Sequence, residues 1–377
     1  MAASDEVCIP SRFLRIPCFI WNYVKYREGW LPQHLAQDID VFANDTVNEQ
    51  EGADSVSRLE HVEAIVPCGD PKAGRLQFTI PPLFDPSPIV NRPEWTEVVF
   101  SFSESITLVT GYFDLGPLPK WYGTADVNTY KKFMLRLGKI RNPMVFFVDE
   151  QDNDIQIFLQ KVRSKQVTLF KPVKRSDLWA FGFLQPITQM FSLSCFPKHR
   201  TLTTVPNYAC TVLSKFEFVK MAIEENYFKT KYFAWMDAGY WRDAPIDGPY
   251  FSMVLPPRFN DSTVAIVEVN PPNTKLTMKD MVWGASVWIA GGFLIGRGDV
   301  FTRYCHQFME YSHLMLRAGM MNSEEQVIYG IYHARNYQPK VMMQLYPAEQ
   351  RYFNWFTLGF MCKEEAEKAV YKAPPLN

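Results

Sequence analysis

Apolar residues along this chain gather in short runs, and the punctuation between the runs changes near residue 103. Beyond that point "SITLVTGYF" (105–113) and "NPMVFFVDE" (142–150) are β-branched or aromatic runs closed by Gly, Pro or charge, as buried strands are. Between them "VNTYKKFMLRLGK" carries helical spacing. "KQVTLFKPV" predicts a third strand, and "SKFEFVKMAIEEN" a helix whose Ser214 and Glu217 have capping-box spacing and whose Phe216, Val219 and Ile223 share a face. Three further strands follow in "KYFAWMDAGYW", "STVAIVEV" and "VWIAGGFLIG". A long helix then starts near Asp299, with Phe301, Tyr304, Phe308, Tyr311 and Met315 on one stripe. Strand and helix alternating in this way predict an α/β fold: a mixed, mainly parallel sheet flanked by helices on both faces.

Residues 1–103 read differently. "HVEAIV" and "RLQFTI" are strand-like, but in "PPLFDPSPIVNRPEW" (81–95) the prolines remove backbone donors and block helix. The expected organisation is an N-terminal appendage with a proline-rich connector over 1–103, an α/β domain over 104–362, and a polar tail over 363–377. No internal repeat is visible.

Charge and cysteine content narrow the function classes. Thirty-nine basic and forty acidic residues give a net charge of -1 with no charge block, so a counterion-releasing nucleic-acid binder is not expected. No run approaches the roughly 18 apolar residues of a bilayer span. The early apolar piece "FLRIPCFIWNYV" is broken by Arg15 and Pro17 and lacks a cleavage pattern. The default location is cytoplasmic, or the secretory lumen if the chain is truncated, where the sequons at Asn44 and Asn260 would matter. Seven scattered cysteines without a CxxC pair speak against a zinc site or a full disulfide framework. No GxGxxG, P-loop or GxSxG occurs in the strand-to-helix turns, which disfavours a dehydrogenase, an NTPase or a serine hydrolase.

The candidate chemistry lies where strands run out, since open α/β sheets gather ligands at the carboxyl ends of their strands. Asp237 ends an apolar run and is followed by Ala238 and Gly239, small residues that leave room for a phosphate to come close. It is a ligand for a hard divalent cation gripping a diphosphate, or a turn former. Gly291 and Gly292 inside a strand-like run mark a close approach, as of a sugar ring, or a β-bulge. Thr110, Gly111, Tyr112 and Asp114 leave another strand where a base can stack on a ring and hydrogen-bond a carboxylate. Lys215 can pair with phosphate or be a surface lysine. Ser323 and Gln326 form a second capping-box pattern that puts Glu324 and Glu325 in the first turn of a helix, favourable for the dipole alone. Glu325 and His333 share a stripe but stand about 12 Å apart along it and cannot share a metal ion. His333 reads as a ligand or, preferably, a helix-end cation, while His306 and His313 read as solvated.

Taken together, "TLVTGYFDLG", "NPMVFFVDE", "VPNYACTVLSKFEFVKMAIEENYFKTKYFAWMDAGYW", "AGGFLIGRGDVF" and "SEEQVIYG" resemble the HtrL/YibB family across about residues 104–360. That family is associated with polysaccharide assembly and is similar to nucleotide-sugar-dependent glycosyltransferases of the A-type fold. The resemblance implies a nucleotide-sugar donor and a glycan or other hydroxyl acceptor. It also implies a divalent cation (Mn2+ or Mg2+) at Asp237, which stands where such enzymes carry Asp-x-Asp, although Gly239 replaces the second acid. Asp243 or Asp247 would have to supply a second carboxylate if one is needed. On this reading Tyr112 and Asp114 hold the nucleoside, Lys215 the diphosphate, Gly291 and Gly292 face the sugar, and Glu325 with Gln326 faces the donor sugar or the acceptor hydroxyl. The alternative is a non-catalytic nucleotide-sugar or glycan-binding protein on the same fold.

Overall fold

The computed structural model describes residues 60–68, 74–81, 105–120, 123–163, 165, 167–334 and 337–372. Residues 1–59 and nearly all of the proline-rich stretch lie outside them, as does the Asn44 sequon. The strands are β1 (Glu60–Ile65), β2 (Arg75–Ile80), β3 (Ile106–Tyr112), β4 (Leu118–Lys120), β5 (Gly123–Ala125), β6 (Met144–Asp149), β7 (Thr168–Val173), β8 (Tyr232–Met236), β9 (Val264–Glu268), β10 (Ile289–Arg297) and β11 (Met343–Pro347). The helices are α1 (Val127–Met134), α2 (Asn153–Val162), α3 (Leu184–Ser192), α4 (Arg200–Thr204), α5 (Pro206–Leu213), α6 (Lys215–Glu225), α7 (Met278–Trp283), α8 (Gly298–Arg317), α9 (Glu324–His333) and α10 (Thr357–Lys372).

Seven strands form the central sheet, in the order β11-β9-β10-β8-β3-β6-β7. β10 runs antiparallel to β8 and β9, and every other pairing is parallel. The sheet is therefore mixed and mainly parallel, as the alternation of elements predicts. Its inner strands are apolar on both faces because both are covered. Val109, Val145, Phe147, Phe233 and Trp235 pack into one core, while Leu108, Phe146, Val148, Ala234 and Met236 pack into the other. That is the period-two alternation of a pleated strand with no face left for water.

The hairpin β1–β2 belongs to the first of these cores through Val62, Ala64, Phe78 and Ile80. Arg317 of α8 pairs with Glu60, and a Cys68–Cys195 disulfide closes a loop of sequence separation 127 between the hairpin and the segment after α3. One bridge is present where the scattered cysteines signalled no framework; Cys210, Cys305 and Cys362 are free and buried. The polar segment after residue 362 continues α10 to Lys372. No helix among the described residues is long and apolar enough to cross a membrane.

Several local expectations change. Ser214 does not cap α6: its backbone is helical and its hydroxyl donates to Cys210 O, so α5 runs almost directly into α6. Glu217 is instead buried and accepts from the Trp179 backbone N–H at 3.0 Å, with Oε2 unpartnered. His313 is 1% exposed rather than solvated, because α8 is covered by the helical segment 179–183 as well as by the sheet. Its Nε2 accepts from Trp179 Nε1, and burial lowers its pKa to about 4. His306 is half-buried. His333 packs edge-on against Trp288, and burial lowers its pKa, so it is not the helix-end cation expected.

Glu217 gives this fold a pH signature. Burial raises its carboxyl to about 7, against two backbone hydrogen bonds that lower it. Its folded pKa thus lies above its unfolded value, so the native state holds a proton that the unfolded chain has released. Stability is lost as pH rises from about 4.5 to 7, by roughly 3 kcal/mol, and the loss is complete above that window. In denaturant titrations Glu217→Gln should be nearly free of this decline, gaining on the parent by about that amount between pH 4.5 and 7.5. Parallel pH curves for the two proteins would show that Glu217 titrates normally.

Candidate functional site

Because β3 and β8 are parallel neighbours, with Val109 opposite Trp235, they run out at the same sheet edge. β10 is antiparallel, so its beginning, not its end, meets the end of β8. The Asp237 backbone N–H donates to Gly292 O at 2.9 Å across that junction. Topology thus delivers Tyr112, Asp237 and Gly292 to one edge, and a pocket of about 190 Å³ opens there. Asp237, Arg242, Gly292, Glu324, Glu325 and Tyr208 are among the residues that line it.

Lys215, read at first as a phosphate ligand or a surface lysine, is 2% exposed. Its Nζ donates to Glu324 Oε1 at 2.6 Å, Gly291 O at 3.0 Å and Asp237 Oδ1 at 3.4 Å. Burial opposes its charge, but Asp237, Glu324 and Glu325 outweigh burial and hold its pKa above the ordinary lysine value. Glu324 reaches the lysine because the Ser323–Gln326 capping box is real and fixes the start of α9. A Cβ on Gly291 would stand 2.6 Å from Glu324 Oε1, so glycine there is what admits the carboxylate. The pairing of β10 with β9 also shifts register between Ala290 and Ile295, so the glycines mark both a bulge and a close approach.

Asp237 is half-exposed, and its Oδ1 accepts from Trp235 Nε1 at 2.7 Å as well as from Lys215. Its Oδ2 lies toward Gly292, where a Cβ would be at 3.4 Å. Asp237 also starts a turn, with the Tyr240 backbone N–H donating to its carbonyl. The missing side chain at Gly239 leaves room for the Phe133 ring of α1 rather than for a ligand. Glu325 is half-buried beside the pocket, its carboxyl raised well above the usual range by burial and then by Glu324.

Not every sequence candidate reaches the pocket. Thr110 is fully buried, and a Cβ on Gly111 would press on Phe218 and the Phe147 carbonyl. Tyr112 is buried under the Tyr130 ring, centroids 4.9 Å apart, and Asp114 is an exposed turn residue accepting from Gly116 N–H. Gln326 is 1% exposed and committed to Ser323 and Ser286 O. Asp243 and Asp247 are exposed and do not line the pocket. Among the described residues no group of three His, Cys, Asp or Glu is placed to hold a metal ion. What the donor set does offer is Asp237 Oδ2, which suits a cation bound mainly by substrate phosphates and water.

Three contributors went unnoticed in the sequence. Lys120 ends β4 and places Nζ 4.1 Å from the centre of the Tyr208 ring; burial lowers its pKa to about 8, while Asp237 pulls the other way. Arg242 stacks its guanidinium 4.6 Å from the Phe356 ring. Tyr208 of α5, its phenol raised by burial and then by Tyr130, Glu324 and Asp237, lines the pocket. Lys120 ends a strand of only three residues, too short for a periodic signal. The one available hint was Arg242 five residues after Asp237.

The Lys215 cluster makes a sharp stability prediction. Lys215→Met leaves Glu324 buried without its partner and should cost roughly 3–5 kcal/mol in denaturant unfolding, whereas Lys215→Met combined with Glu324→Gln should regain most of it. A single variant as stable as the parent would mean that the charges are not buried together.

The family model for HtrL_YibB, described as a bacterial protein of unknown function, matches residues 104–360. Protein HtrL of Escherichia coli (strain K12) is 21% identical over 269 residues, covering 67% of this chain and 91% of that protein. The match spans β3 through α10 and so includes every strand of the central sheet and every residue around the pocket. The chain belongs to the HtrL/YibB family.

Proposed function

We propose that this protein is a glycosyltransferase that takes its donor from a nucleotide sugar. The observation that supports this most is one pocket, at the carboxyl edge of β3 and β8, bordered by both kinds of group such a reaction needs. Arg242 in the lining, and Lys120 beside the lining residue Tyr208, offer positive charge to a diphosphate leaving group, and Glu325 offers a carboxyl with a raised pKa. In the proposed arrangement the diphosphate lies between Lys120 and Arg242 and the nucleoside extends out of the pocket toward the end of β3, where the Tyr130 ring covers Tyr112. Developing charge on the departing phosphate is best met by donors already in place. Glu325 then takes the proton from the acceptor hydroxyl, a task for which a pKa near the working pH is favourable. Lys215 is a positioning residue, since its three hydrogen bonds hold Glu324, Asp237 and β10 and leave little for substrate. Asp237 Oδ2 would hold a divalent cation, Mn2+ or Mg2+, which when bound adds charge neutralisation at the diphosphate.

Polysaccharide assembly is the process this reading serves. A binding protein without turnover is the second reading, favoured by the single carboxylate, Asp237, at the end of β8, one oxygen of which is already held by Lys215 and Trp235.

A thermal-shift panel of nucleotide sugars, with and without manganese, tests binding, because a ligand of the native state raises the melting temperature by mass action. With a donor in hand, Glu325→Gln should lower kcat at least about a hundredfold while nucleotide binding persists. Asp237→Ala should lose any manganese-dependent part of binding. With the Glu325 carboxyl and the Lys120 ammonium both held near 8, the kcat/KM profile should be a narrow bell centred near pH 8, rising as Glu325 loses its proton and falling as Lys120 loses its own. Lys120→Arg should move only the alkaline limb upward, since a guanidinium keeps its charge. Binding without turnover in any donor and acceptor combination would favour the second reading, and no nucleotide binding at all would dismiss both.

A further inference from the structure

We propose that Trp355 is a stacking platform for the acceptor and that the acceptor is therefore a carbohydrate ring; this rests on the transferase reading above and assigns the side of the pocket which that reading leaves open. The sheet order supplies the direction. Moving from β3 through β8 to β10, one passes from the nucleoside side, across Asp237, to the far wall of the pocket. The short helical segment Asn354–Phe356 packs on β10 and β9, so Trp355 stands on the wall away from β3. Whatever the nucleotide does not occupy must be met there.

Trp355 itself is a poor core residue. It is 40% exposed and lines the pocket, although an indole of that size is normally covered. The backbone bends sharply to place it. Phe353 and Asn354 both sit in the left-handed region, at φ 54° and 41°, which asparagine tolerates but the bulky phenylalanine does not favour. Such strain persists where the surroundings over-determine it. Here they do. Thr357, with no exposure, donates from Oγ1 to Asn354 O at 2.9 Å and accepts from Glu349 N–H at 2.9 Å. Two residues on, the Gly359 N–H donates to Tyr240 OH, and Tyr240 follows Asp237 by three positions. The platform is thus tied to the same strand end that carries Asp237.

The surroundings fit one ring. The pocket, at about 190 Å³, is smaller than the roughly 300–1,000 Å³ of sites that enclose a drug-sized molecule. Leu202, Val212 and Trp355 give it apolar and aromatic lining, and Glu325 gives it a carboxyl. A pyranose has that same division, with C–H bonds on its face for the indole and hydroxyls on its edge for the carboxyl. A linear polyol has the hydroxyls without the face.

Saturation-transfer NMR on the full chain tests this with a panel of methyl pyranosides (glucoside, galactoside, mannoside, xyloside and N-acetylglucosaminide), and sorbitol as the ring-free control. Each is measured with the protein alone and with a nucleoside diphosphate present to fill the donor side. At least one pyranoside should receive saturation at its ring C–H protons and should still do so with the nucleotide bound. Trp355→Ala should weaken that binding about tenfold, and Trp355→Phe less. Sorbitol binding as well as the pyranosides, equal pyranoside binding by parent and Trp355→Ala, or no pyranoside binding by a parent that takes up the nucleotide would each overturn the proposal. Pyranoside binding through Trp355 in a protein that binds no nucleotide would keep the platform and remove the transferase reading.

Discussion

The Lys215 ammonium lies within 3.4 Å of Asp237, 3.0 Å of the Gly291 carbonyl and 2.6 Å of Glu324, with almost no access to water. A buried charge is tolerated only when paired and fully hydrogen-bonded, so each partner must arrive in position or the cluster becomes a liability. The end of β8 supplies Asp237, and the start of β10 supplies a bare backbone. The capped start of α9 supplies Glu324, and α6 the lysine. Four elements distant in sequence are thereby fixed to one another by a single cation. The pocket is what remains on the solvent side of that junction.

The junction also explains the polarity of the site. Lys215 draws Glu324 Oε1 inward and shares Oδ1 of Asp237 with Trp235, so what these two carboxylates leave to the pocket is their second oxygens, beside the Glu325 carboxyl. With Glu324 ionised behind it, Glu325 pays a Coulombic penalty for losing its proton. Lys120 and Arg242 sit on the opposite side of this balance, and among the described residues neither approaches a carboxylate closely; the nearest such ion pair of Arg242 is 3.9 Å, to the exposed Asp243. Loosely paired cations beside an inward-locked acid cluster make a site that is receptive to an anion.

Antiparallel β10 is the topological device behind this arrangement. In an all-parallel sheet the start of a strand lies at the edge away from the ligand. Reversing one strand brings Gly291 and Gly292 beside Asp237, where the absence of side chains admits Glu324 to the lysine. The same reversal leaves room on the far wall for the braced turn at Phe353–Asn354, and so for Trp355. Fold and site are therefore hard to separate: a change that restored regular pairing between β9 and β10 would also displace the acid cluster.

Much of the sheet was legible from the residues alone, because strands buried on both faces must be short, apolar and bounded, and β3, β6, β8, β9 and β10 are all of these. Asp237 at a strand end and the Ser323–Gln326 cap were legible for the same reason: each is a signal carried within a few neighbouring residues. Other assignments depended on what lies across space. Lys215 looked like a phosphate ligand or a surface lysine and His313 looked solvated, yet one is enclosed by α9 and β10 and the other by the segment around Trp179, neither of which local spacing can reveal. Gly239 looked like space for a ligand until α1 filled it with Phe133. Lys120, Arg242 and Trp355 have no periodicity of their own and acquire meaning only once three separate loops meet at one edge. Local sequence determines which segments are buried, since that follows from hydrophobicity and spacing. Which charges face one another is a matter of long-range pairing, and that was decided by the tertiary structure alone.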